Sequence, residues 1–344
     1  MADAWAERLQ EAWLRRGVLA CALLPFAALY GLLWRLRTAL YRLGVLQSQR
    51  LDVPVLVVGN LVAGGAGKTP TVLAVLELLR RRGWQPGVVS RGYGRRVDAL
   101  IDVQPDTPVT QCGDEPLLLR LRGGVPVCVG RDRVAAARWL RQRHPEVNIV
   151  VCDDGLQHLR LARDAQVLVF DERGGGNGWL LPAGPLREPV PERPPPRSLV
   201  LYNAAAPSTP LPGSLARRRL SGAVALADWW RGAPARPPLL DALCDRSVLA
   251  VAGVARPHRF FAMLRAHGLR ITEHPLPDHH DYAQLAWPAG TTDVVLTEKD
   301  AVKIDATRLG TLRVWVVALD FSVEPDFESA LMALLPGAPV LPLS

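Results

Sequence analysis

The sequence of 344 residues predicts an α/β protein: a mostly parallel sheet wrapped by helices, a smaller α/β lobe toward the C-terminus, and an apolar helical arm at the N-terminus. Three observations predict it. Short apolar runs alternate with helical patterns, proline-rich segments interrupt that alternation, and one uncharged stretch stands apart near the start. Hydrophobic residues make up 49% of the chain, enough for one large core or two smaller ones, which excludes general disorder. A net charge of +8 is compatible with nucleic acid, an anionic membrane or an acidic substrate, so charge alone does not choose among them. Cys21, Cys112, Cys128, Cys152 and Cys244 form neither a C-x-x-C pair nor a metal-ligand spacing. That argues against a disulfide framework and a zinc site, and fits a reducing cytoplasm.

The arm, residues 1–48, contains "GVLACALLPFAALYGLLW" from Gly17 to Trp34, uncharged and flanked by Arg15, Arg16, Arg35 and Arg37. As a helix this run reaches about 27 Å at about 1.5 Å per residue, short of roughly 30 Å of hydrocarbon, and Pro25 is expected to kink it midway. Insertion into one leaflet and spanning both fit equally, and a buried core helix is the plain alternative. A secretory signal fits less well, because Asp3, Glu7 and Glu11 precede the run and no small-residue cleavage pattern follows it. Six arginines and no acid lie between Glu11 and Asp52, as expected for a segment resting on anionic lipid.

In the core lobe, residues 49–230, "VPVLVVGN" reads as a buried strand and "TPTVLAVLELLRRRG" as a helix with Pro70 in its first turn and Gly83 as its stop. "PGVVS", "VNIVVCDDG" and "AQVLVFDE" read as further strands, and "RDRVAAARWLRQRH" as an intervening helix. "EPVPERPPPRS", residues 188–198, reads as an extended loop, and "RGAPARPPLL" repeats that composition near the transition to the last lobe, residues 231–344. There "RSVLAVAGVARPHRFFAMLRAHG" opens a new strand and helix.

Between the first strand and helix stands "GNLVAGGAGKTP". Measured back from Lys68 and Thr69, the phosphate-loop pattern G-x-x-x-x-G-K-[ST] finds Gly67 in place but Val62 where its first glycine belongs. The physics survives that substitution. Gly64, Gly65 and Gly67 let backbone N–H groups from Val62 through Thr69, Ala63 and Ala66 included, turn toward phosphates at a helix N-terminus. Lys68 is placed to reach the β- and γ-phosphates of ATP, and the Thr69 hydroxyl to bind Mg²⁺. The fold expected is therefore P-loop NTPase-like. Asp153 and Asp154, ending a core strand, are the expected metal partners, with the alternation of side chains along a strand giving them separate roles.

Lysine usage adds a second pointer. Of 41 basic residues only Lys68, Lys299 and Lys303 are lysines, which suggests that a compact ammonium matters at those places, although chance serves almost as well for the last two.

The blocks "VGNLVAGGAGKTP", "GVVSRGYGRR", "GDEP", "DDGLQH", "GNGWLLPAGPLRE", "DHH" and "TEKDAVK" occur in an order that resembles the tetraacyldisaccharide 4'-kinase family, the lipid A 4'-kinases. The resemblance runs from the apolar arm to about residue 303. It implies transfer of the γ-phosphate of ATP to the 4'-hydroxyl of an acylated glucosamine disaccharide 1-phosphate, a lipid A precursor, at the cytoplasmic face of a bacterial inner membrane. It also implies that Asp114 in "GDEP" is the catalytic base, paired with His279 in "DHH" from the other lobe, so that the pair forms only when the lobes close. Tyr93, Arg187 and His158 are implied as substrate contacts, and Glu115, Asp153 and Asp154 as part of the metal region. Membrane lipids are the implied partners. A nucleotide switch is disfavoured because no N-K-x-D motif occurs, and a nucleic-acid-stimulated ATPase because no recognition helix or aromatic-rich basic strand does. A kinase of a soluble target is the nearest rival, opposed by the apolar arm.

Overall fold

The computed structural model describes residue 9 and residues 11–285, 287–288 and 290–337. Among them, twelve strands form one sheet: β1 (Val55–Gly59), β2 (Pro86–Ser90), β3 (Ile101–Asp102), β4 (Val127–Val129), β5 (Ile149–Asp153), β6 (Ala165–Asp171), β7 (Ser198–Asn203), β8 (Ser214–Ala225), β9 (Ser247–Ala252), β10 (Arg270–Pro275), β11 (Asp293–Thr297) and β12 (Arg313–Val323). Their order across the sheet is β10-β9-β11-β12-β8-β7-β6-β1-β5-β2-β4-β3. Strand β1 lies parallel between β5 and β6, with Val58 opposite Asp153, so the strand feeding the glycine loop and the strand bearing the carboxylates end side by side. Ligands of open parallel sheets bind at such carboxyl ends.

β8 joins the two halves. It runs parallel to β7 only at Ser214 and Leu215, then pairs antiparallel with β12 from Ala216 to Ala225. Alternate residues of the strands supply opposite layers of core: Leu56, Val58, Leu249, Val251 and Leu296 face one continuous cluster that runs under both halves. Val55 and Val57 face a second cluster, and Val248, Ala250 and Ala252 a third. The last helix, Pro325–Leu334, returns to the first half, where Glu328 pairs with Arg81 and Arg82. β3 and β4, two and three residues long, escape sequence reading because runs so short carry no measurable period.

The arm differs from the expected kinked helix. It is two helices, Val18–Ala22 and Leu24–Arg42, broken at Leu23, and Pro25 occupies the first turn of the second, where its missing N–H leaves no bond unmade. Ala27 and Gly31 face the protein; a Cβ at Gly31 would stand 2.9 Å from Leu180 Cδ1. Phe26, Leu29, Leu33 and Leu36 lie on the outer side and are exposed. No helix of the described residues is long and apolar enough to cross a membrane.

Candidate active site

The glycine loop leaves β1 at Gly59 and enters the helix Lys68–Arg81 through Gly67, whose φ of 85° is left-handed. Asn60, fully buried, organises the turn by donating from Nδ2 to the carbonyls of Val62 (2.7 Å) and Gly64 (3.1 Å). Val62 is fully buried and forms a bridge with Leu186, while Ala63 N donates to Pro185 O at 2.7 Å. Positive φ falls on Gly64 and Gly67, not on Val62, so the position where the usual pattern has glycine is here extended backbone with an apolar side chain packed beneath it. Ala66 is buried too, its carbonyl accepting from Asn203 Nδ2 at 3.0 Å, and the Ala63 and Gly65 carbonyls accept from Arg173, which Asp171 orients. A Cβ at Gly67 would lie 1.8 Å from Asn203 Nδ2, so this glycine is required by space as well as by φ.

Lys68 donates from Nζ to Asn60 Oδ1 at 3.2 Å and lies 3.8 Å from Asp154 Oδ2. Thr69 is half-buried in the same helical turn. The two aspartates differ in backbone and in partners. Asp153 is the last residue of β5, whereas Asp154 has left the strand with a φ of 51°. Arg187 Nη1 donates to both Asp154 oxygens, at 2.8 and 3.0 Å. Burial would raise the Asp154 carboxyl, but Lys68 and Arg187 outweigh it and hold it below its ordinary range. Asp153 has the opposite environment: its Oδ2 accepts from Ser90 Oγ at 3.1 Å, and its Oδ1 is buried without a partner. Burial first, then the charges of Glu115 and Asp154, push the Asp153 carboxyl up to about 7.

Asp114 and Glu115 open the helix Asp114–Gly123, and the Glu115 charge acts on Asp153. His279 Nδ1 lies 2.8 Å from Asp114 Oδ2 and 3.1 Å from Oδ1, bridging the two halves of the sheet. Burial alone would raise Asp114; the His279 hydrogen bond and the charges of Lys299, His279 and Lys303 bring it instead to about 2. His279 has a φ of 62°, a conformation that ordinary side chains rarely hold without a constraint from their surroundings. The Tyr93 ring packs on it at 5.1 Å between centroids. Beside them opens a cavity of about 650 Å³ lined by Tyr93, Asp114, Trp230, His279 and Lys303, among others.

The structure thus brings together Lys68, Thr69, Asp153, Asp154 and Arg187 at the loop, and Asp114, His279 and Tyr93 beyond Glu115. His158 stands apart. Its Nε2 is 3.9 Å from Asp132 Oδ1, and no hydrogen bond or ion pair among the described residues joins it to Lys68, Asp154 or Asp114. Asn60, Asn203, Arg173, Lys299 and Lys303 were not among the expected site residues. Lysine scarcity is the signal that points to the last two; the others sit in no motif that spacing alone reveals.

A parallel sheet, a glycine loop closed on a helix by a lysine, and carboxylates at the end of the adjacent strand define a P-loop nucleotide-binding protein. Beyond that class, the chain belongs to the tetraacyldisaccharide-1-P 4'-kinase family, whose family model matches residues 19–336. The tetraacyldisaccharide 4'-kinase of Methylibium petroleiphilum is 58% identical over 96% of this chain and 94% of its own length, and that of Leptothrix cholodnii 55% over 98% of each. Among solved structures, LpxK from Aquifex aeolicus in complex with ATP superposes with a TM-score of 0.76 at 26% identity, covering 93% of this chain and all of that one.

Proposed function

We propose that the protein transfers the γ-phosphate of ATP to the 4'-hydroxyl of a tetraacylated glucosamine disaccharide 1-phosphate, with Asp114 as the base. The observation that carries this is the adjacency of Asp114 and Glu115 in one helical turn. Glu115 is close enough to Asp153 to raise its pKa, while Asp114 is paired with His279, so the phosphate side and the acceptor side meet at a single helix N-terminus. Lys68 and the loop N–H groups hold the β- and γ-phosphates, and Arg187 and Tyr93 line the approach of the acceptor. The 4'-oxygen attacks the γ-phosphorus, the bond to the β–γ bridging oxygen breaks to release ADP, and the hydroxyl proton passes to Asp114, with His279 supporting the carboxylate.

The residues fit a divalent cation. Asp153 Oδ1 is buried and partnerless, and the charges of two other carboxylates, Glu115 and Asp154, bear on the Asp153 carboxyl, an arrangement that a cation relieves. No group of three or more His, Cys, Asp or Glu among the described residues encloses a metal unaided, in keeping with Mg²⁺, which takes one or two carboxylates and completes its shell with phosphate and water. Asp153, Thr69 and, less directly, Asp154 and Glu115 would hold it, and it would supply neutralisation of charge on the transferring phosphoryl group.

The exposed stripe of Phe26, Leu29, Leu33 and Leu36, flanked by Arg35, Arg37 and Arg42, supports seating on the cytoplasmic face of the inner membrane, where the acceptor resides. The arm is tied to the cleft, since Tyr30 OH donates to Arg187 O at 2.6 Å.

The test is transfer of labelled γ-phosphate from ATP to the acylated disaccharide 1-phosphate in mixed micelles. Label is expected in the lipid, and none when the 4'-position is already phosphorylated. Label released only as inorganic phosphate would refute the assignment.

A further inference from the structure

The strand β11 ends at Thr297, and the short helix Glu298–Ala301 with the turn after it carries both remaining lysines of the chain. Four residues apart, Lys299 and Lys303 lie on one side of that turn, toward the helix Asp114–Gly123. Each meets one of the two adjacent carboxylates there. Lys299 Nζ is 3.2 Å from Glu115 Oε1, 3.2 Å from Asp278 Oδ1 and 3.4 Å from His279 Nε2. Lys303 Nζ is 3.1 Å from Asp300 Oδ1, 3.8 Å from Asp114 Oδ2, and 5.2 Å from the centre of the Tyr282 ring.

Both are enclosed: 3% of the Lys303 side chain and 17% of the Lys299 side chain reach solvent. Asp300, the anchor of Lys303, is itself fully buried and accepts from Gly253 N and Thr297 Oγ1. Desolvating ammonium groups in this way is expensive, and apolar side chains of the same volume often serve stability as well or better. In a chain where all but three of 41 basic residues are arginine, the choice of lysine at both places also needs a reason. An ammonium donates in three directions from a point, which suits a gap between Asp114, Asp300 and a ring face, whereas a guanidinium needs a flat fork-shaped slot.

We propose that Lys303 and Lys299 are positioning residues for phosphoryl transfer: Lys303 fixes the Asp114 carboxylate, and Lys299 fixes His279 against Glu115. The acceptor-activating pair is thereby assembled by docking of the β11 turn on the helix that begins at Asp114. The inference rests on the assignment of Asp114 as base.

The test uses the full chain in mixed micelles with Mg·ATP and the acylated disaccharide 1-phosphate, in steady state and single turnover. Lys303→Met is expected to lower kcat on the order of 10²-fold, the scale of a small misplacement of a reacting group, with little change in the KM for ATP. In an Asp114→Ala background the same substitution should cost nothing further, and Lys299→Met should likewise lose its effect in a His279→Ala background. Equal fold losses in both backgrounds, or full turnover of Lys303→Met, would overturn the proposal. Should Lys303→Met melt before assay, Lys303→Arg replaces it: retained folding with lowered kcat supports positioning by a compact ammonium, and restored kcat overturns it. Wild-type turnover of Asp114→Ala would instead remove the base assignment, whereas an inactive Asp114→Ala beside a fully active Lys303→Met removes the lysine proposal alone.

Discussion

The two sides of the cleft are built differently. On the nucleotide side, Asn60, Val62, Gly64 and Lys68 bond to one another within nine positions, so the turn holds its form through its own neighbours. On the acceptor side, Asp114 and His279 are 165 positions apart and meet through two helices, two halves of a sheet and a pair of lysines. A local loop is organised as soon as its strand and helix form. A long-range pair is only as accurate as the docking that brings its members together.

That contrast orders the expected effects of substitution. Asp114→Ala and His279→Ala should each lower kcat by about 10²–10⁴-fold, the range for a general base, while the double variant is little worse than Asp114→Ala alone; multiplicative losses in single-turnover rates would show that the pair does not act as a unit. Lys68→Ala should lower kcat/KM by about 10²–10³-fold, as loss of a preorganised charge does, with folding unchanged by circular dichroism. Because its partners are local, its effect should multiply with that of His279→Ala, and strong non-additivity there would erase the distinction between the two sides.

Val62→Gly restores the usual glycine of the loop pattern. It should destabilise the protein by about 2–3 kcal/mol, through loss of a buried side chain (about 1.5–3 kcal/mol) and added freedom in the unfolded backbone, without tightening ATP binding. Thermal melts and the KM for ATP decide this; tighter binding at unchanged Tm would mean that the loop is strained where it looks relaxed. The smallest effect belongs to His158, outside both sides. Burial first, then Arg133, lowers its pKa from 6.5 to about 4, so the folded protein holds it neutral while the unfolded chain protonates it more readily. Its contribution to stability is complete above pH 6.5 and is lost as the pH falls to about 4. His158→Gln should flatten the fall of Tm across that interval while leaving Tm near pH 8 little changed; an unaltered slope would place the acid sensitivity elsewhere.

The same contrast explains what could be read from the sequence. β1, its helix, β5 with Asp153, and the strand and helix after residue 246 follow from period, glycine and proline placement alone, because each is decided within its own segment. Asp114 and His279 are legible only through resemblance, since nothing within "GDEP" or "DHH" says that they meet. Asn203 gives no signal at all: it ends an ordinary buried strand, and only the sheet order, with β7 one strand beyond β6, lays its amide over Ala66 and Gly67. Lys299 and Lys303 fall between these cases, visible as a bias of composition but without an address until Glu115 and Asp114 are found opposite them.

β8 has a consequence for the birth of the protein. It pairs along Ala216–Ala225 with β12, whose residues 313–323 leave the ribosome nearly a hundred residues later. Through that interval the first seven strands can fold while β8 waits with one edge unmet, touching β7 only at its base. Exposed edges recruit wrong partners, and charged side chains are the usual deterrent. Arg217 and Arg219 stand exposed on that waiting strand, while Arg218 between them turns inward beside Gly67. A nascent chain in which Arg217 and Arg219 were replaced by threonine would be expected to keep its strand propensity and lose its protection, aggregating during synthesis even if the finished enzyme were sound.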